Sequence, residues 1–95
     1  MNNRSDAIIK IKKVINELEL ILVTKDTMVL SVSSLEQISK FTEVFKNVLN
    51  AIAVGNIPPK NERTLGVAKI VIEQWPFELA LGGLIIEAEQ AYKSI

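Results

Sequence analysis

The side chains of this sequence that could do chemistry near neutral pH are carboxylates, lysines, hydroxyls and a single phenol, Tyr92, because the chain holds no histidine and no cysteine. Without cysteine there are no disulfides, no thiolate zinc sites and no thiol nucleophile. Without histidine the usual general base and the commonest nitrogen ligand for zinc, copper or iron are gone. Carboxylates occur two apart at Glu17 and Glu19 and again at Glu87 and Glu89. Such a pair can hold Mg²⁺ or exchange a proton only if both groups reach one point. On a helix, residues two apart point in different directions, so neither pair converges. Gly82 and Gly83 are adjacent inside a helical pattern, and neither phosphate-binding glycine motif occurs. These absences point away from an enzyme, and no metal or cofactor is expected.

What the chain has in quantity is apolar surface. Of 95 residues, 48% are hydrophobic, and the mean hydropathy is +0.27. A single domain of this size buries roughly two thirds of the surface its unfolded chain exposes, so 1–95 reads as one domain with more apolar surface than its core takes up. The longest charge-free runs fall short of the roughly 18 residues of a membrane span, and "MNNRSDAIIKIKKV" carries no signal-type apolar region before its charges. A cytoplasmic protein with no membrane partner is the expectation.

Helical periodicity organises most of the chain, and the fold class it predicts is all-α, a small bundle of three to four helices. The first helix is expected from a Ser5 cap to about Thr24, with Ile8, Ile11, Val14, Ile15, Leu18, Ile21 and Leu22 on one face. Ile9, Leu20 and Val23 lie off that face and form a second, narrower stripe around Asn16. Residues 25–33 form a weak alternating pattern, read as an ordered linker or a helical turn, with a strand paired across a dimer as the minor alternative. The second helix has capping-box spacing at Ser33 and Glu36 and again at Ser34 and Gln37. Its apolar arc runs through Ile38, Phe41, Phe45, Val48, Leu49 and Ile52, and Gly55 with Pro58 and Pro59 ends it.

A third helix is expected from Asn61 or Thr64, apolar at Leu65, Ala68, Val71, Ile72 and Trp75. Pro76 then forbids a regular continuation. With so few residues for a loop, the segment from Phe77 to Lys93 is expected to follow as part of one long helix, kinked or sharply bent at Trp75 and Pro76. Its main stripe is Phe77, Leu81, Leu84, Ile85, Ala88, Ala91 and Tyr92, and Leu79, Gly82, Gly83 and Ile86 lie opposite. Two glycines inside a helix cost about 2 kcal/mol relative to alanine, which a close helix–helix approach can offset, either within the fold or between subunits.

The function these features favour is a non-enzymatic protein–protein interaction module, a homodimer or a subunit of a larger assembly. It would act through Ile9, Leu20, Val23, Trp75, Leu79, Gly82, Gly83 and Ile86. Trp75 suits an interface hot spot, although a lone tryptophan ending an apolar stripe belongs to a core more often. The partner is a second copy or another helical protein. In size and helical pattern the chain is like many small bacterial immunity, antitoxin, chaperone and phage-encoded proteins, and no motif selects one of them. One alternative is therefore an immunity- or antitoxin-like protein using an acidic face of Glu73, Glu78, Glu87 and Glu89. Another is a DNA-binding regulator. It is disfavoured because eleven basic and eleven acidic side chains cancel and Lys10, Lys12 and Lys13 spread around their helix with no aromatic among them.

Overall fold

The computed structural model describes residues 3–95. Among these residues five helices follow one another: α1 (Asn3–Thr24), α2 (Thr27–Leu30), α3 (Leu35–Ala53), α4 (Val67–Gln74) and α5 (Ala80–Lys93), with a 3-10 turn at Lys60–Glu62. No strand occurs among the described residues, so the all-α class holds and the strand alternative for 25–33 falls away. Asp26 explains why that segment coils: its carboxylate accepts hydrogen bonds from the backbone N–H of Met28 and of Val29, capping the single turn of α2. Val29 anchors the turn in the core.

α3 is built as its sequence dictates. Ser34 caps it by accepting from the Gln37 N–H, and the Ser33 hydroxyl donates to the Gln37 side chain. At the other end Gly55 takes φ 76°, Asn56 N–H donates to Ala51 and Gly55 N–H to Ile52, closing a Schellman motif. Asn3 and Arg4, ahead of the expected Ser5 cap, are already helical.

The expected single bent helix is instead two helices that reverse direction. Trp75 is extended, as a residue before proline prefers, and a turn from Pro76 to Leu79, closed by the Leu79 N–H to the Pro76 carbonyl, redirects the chain. Five residues suffice because helix hairpins need only two to five or so. α5 then runs back along α4: Gly82 lies where an added Cβ would sit 3.0 Å from Val71 and 3.6 Å from Trp75, while Glu89 reaches Leu65 and Ala68 at the far end. Only one of the paired glycines serves this approach. Gly83 has nothing within 4 Å of its missing Cβ. Gly83→Ala is therefore expected to raise stability by about 0.5–1 kcal/mol through helix propensity alone. A higher Tm in a circular-dichroism melt checks it, and a lowered Tm would show that the position is covered.

α1 is the centre of the bundle. α3 lies antiparallel on one side of it, with Glu19 beside Lys46 at 2.7 Å, and α5 antiparallel on the other, where the Asn3 amide donates to the Ser94 carbonyl at 3.0 Å. α4 packs on α5, and its C-terminal Trp75 meets Phe41 of α3 with ring centroids 6.1 Å apart. The core follows from this layout: Ile11, Val14 and Leu18 of α1, Ile38, Phe45 and Ile52 of α3, and Ile85 of α5 are fully buried, each contributing about 1.5–3 kcal/mol of transfer free energy.

Two buried charged side chains tie the α4 region down. Gly66 precedes α4 with φ 82° and has no side chain to cap it. Glu89 of α5 supplies the cap from outside, accepting from Leu65 N–H at 3.1 Å and Ala68 N–H at 2.9 Å. Arg63 donates from Nε to the Pro58 carbonyl and from Nη1 to the Ile95 carbonyl, both at 2.7 Å, stitching the loop to the end of α5.

Candidate interaction surface

With α3 and α5 on two sides of α1, its third side is left uncovered. There Ile9 is 66% exposed, Leu20 52% and Val23 80%. At about 100° per residue these three fall within about 60° of arc, and at 1.5 Å per residue they span about 21 Å of helix. Asn16, also exposed, sits between them. Lys12 and Glu19 flank the stripe on the side toward α3, where Lys12 shares a shallow groove with Lys46 and Leu49. Lys13 and Glu17 flank it on the opposite side. The face is thus an apolar line with an amide at its middle, basic flanks in its first half and acidic flanks in its second.

The other sequence-derived site residues divide differently. Trp75 and Gly82 are buried against each other and against Val71 inside the chain. Leu79 and Ile86 are half-buried, and Gly83 is exposed. Ile86 lines a shallow groove of about 330 Å³ between α4 and α5 together with Ile72, and Lys69, Glu73 and Lys93 border it. The eight residues therefore gather as one line on α1 and a looser patch on α5, with two members turned inward.

Several apolar residues sit where the sequence stripes do not put them. Ile72 is exposed, because α4 buries Val67 and Val71, and Ile72 is rotated about 100° from Val71. Phe77 is fully exposed because it belongs to the turn and not to a helix. Met28 and Val54 are exposed next to the ends of helices. A further groove of about 480 Å³ runs between α3 and the start of α4, floored by Phe41, Val44, Val67 and Ile70 and edged by Glu36 and Lys40. No periodicity signals it, since it lies between residues of two helices that are far apart in sequence.

The electrostatics narrow the alternatives. Glu89 is 4% exposed and turned into the α4 cap, so it does not contribute to an acidic outer face. Glu73 has Lys69 within 4.0 Å, and Lys10 pairs with Asp6 at 3.4 Å. Burial pushes the Tyr92 phenol above its ordinary pKa, against the opposing pull of the Arg63 guanidinium. Among the described residues no group of three or more carboxylates gathers as a metal site, and no helix is long and apolar enough to cross a membrane. No protein-family model matches the chain, and no curated protein matches it.

Proposed function

We propose that this protein is a non-enzymatic interaction module that assembles with itself or with another helical protein through exposed apolar helix surface. The observation that carries the reading is the alignment of Ile9, Leu20 and Val23 along one uncovered side of α1. Scattered single hydrophobic residues are ordinary on protein surfaces, but three large aliphatic side chains on one line, left over after the core has closed, form a seam that suits a second helix. The working face is α1 foremost. The patch of Leu79, just ahead of α5, with Gly83 and Ile86 on it is a subsidiary surface.

The expected result is a sedimentation mass that rises with concentration above the 10.6 kDa of one chain and returns to it in the Leu20→Lys, Val23→Lys double variant. Both positions are exposed, so the variant should keep its Tm within about 0.5 kcal/mol of stability. A chain that stays monomeric at all concentrations overturns self-assembly, and a double variant with unchanged mass overturns the assignment of the working face to α1.

A further inference from the structure

Resting on that reading, we infer that the partner of α1 is α1 of a second copy, laid antiparallel across a twofold axis at Asn16. The charge order of the face is what selects this arrangement. In an antiparallel pair related by a twofold perpendicular to the helices, like flanks meet and the sequence runs in opposite directions. Ile9 then lies level with Val23 of the second copy. On the flank toward α3, Lys12 comes within one residue's rise of Glu19 of the second copy. On the other flank, Lys13 comes within two residues' rise of Glu17 of the second copy. Symmetry repeats both pairs, so each of these four charges meets its opposite, while Asp6 at the edge of the second flank holds Lys10 of its own chain. Glu19 already holds Lys46 of its own chain, so Lys12 joins an existing pair there, whereas Lys13 and Glu17 form a new one.

The alternatives fail on the same residues. A parallel pair brings opposite flanks together at equal height, setting Lys12 against Lys13 and Glu19 against Glu17, a like-charge seam throughout. Sliding the antiparallel pair by one heptad removes Asn16 from the axis and faces its amide with an aliphatic side chain. On the axis, the two Asn16 amides can each donate to the other's carbonyl, and a single polar residue in an apolar seam is a known device for fixing register. One helix face buries less than a standard interface of about 800 Å² per partner, so the dimer is weak and concentration-dependent.

Two measurements on the full chain test this. The Lys12→Glu, Lys13→Glu variant has an all-acidic border and the Glu17→Lys, Glu19→Lys variant an all-basic one. Each alone is expected to self-associate about tenfold or more weakly than the parent, and an equimolar mixture to recover association. Because the chain has no cysteine, single cysteines then read the register. Asn16→Cys should crosslink to itself on mild oxidation. Ile9→Cys should crosslink to Val23→Cys in a mixture and not to itself, since a disulfide needs Cα atoms within about 7 Å. Efficient Ile9-to-Ile9 crosslinking, or a mixture of charge variants that does not recover association, overturns the antiparallel pairing. If the parent still associates and the Leu20→Lys, Val23→Lys variant does not, the interaction-module reading stands without it. If that double variant associates as the parent does, the assignment of the working face to α1 has failed as well.

Discussion

Replacing Glu89 by alanine is expected to lower the unfolding free energy by about 2–4 kcal/mol. The carboxylate accepts two backbone N–H groups at the entry to α4, and its removal strands both donors in a partly buried site at about 1–3 kcal/mol each. α4 has eight residues, too few to hold as an isolated helix, and the residue before it is a glycine without a capping side chain. The loss therefore falls on the element least able to absorb it. Glu89→Gln retains one acceptor oxygen but turns its NH₂ toward the second N–H, so its cost should lie between that of alanine and zero. Urea unfolding reads the series. An alanine variant within about 0.5 kcal/mol of the parent would show that water replaces the carboxylate at no cost and that the cap is not structural.

Truncating Trp75 should be the costliest change. Trp75→Ala is expected to destabilise by about 3–5 kcal/mol, the range for removing a buried tryptophan or phenylalanine, because the indole fills the corner where Phe41, Val71 and the Gly82 backbone converge. Trp75→Phe is the informative comparison. Among the described residues the indole N–H is a buried donor without a hydrogen-bond partner, so phenylalanine forfeits ring volume and no hydrogen bond. It should cost well under half as much as alanine. Thermal and urea unfolding of both variants check this. A phenylalanine variant as damaged as the alanine one would mean that the N–H does have a partner. An alanine variant that folds normally would return Trp75 to the surface role that its residue type first suggests.

The contrast between α3 and the α4–α5 hairpin shows where the sequence is readable. Every determinant of α3 lies within it or next to it: the Ser34 cap, the arc from Ile38 to Ile52, and Gly55 at its end. The all-helical class and the uncovered Ile9, Leu20 and Val23 line are legible for the same reason, since a helix with two apolar faces can turn only one inward. The hairpin depends on residues far apart. Pro76 announces an interruption but not its angle, which follows from the close fit of Gly82 on Val71. The start of α4 follows from a carboxylate more than twenty residues downstream, so a boundary sought from local caps falls too early, at Asn61 or Thr64. Gly82 and Gly83 are indistinguishable as letters, yet one faces a neighbouring helix and the other faces open space. The stripes place Phe77 and Ile72 inward, but Phe77 falls in the turn ahead of α5, and Ile72 lies about 100° around α4 from the buried Val71.

The central position of α1 also bears on the order of events during synthesis. α1 is made before both of the helices that cover it, α3 and α5, and its tie to α5 joins residues 91 apart in sequence. Contacts of such long range form late, because closing the intervening chain costs entropy before any burial compensates for it. Until α5 emerges, the inner face of α1 is open along the side that α5 will cover, while its outer face is open throughout. A nascent chain therefore shows apolar surface on two sides of one helix, and only the synthesis of α5 reduces that to one. Chaperone dependence, if the cell imposes any, is concentrated in that interval.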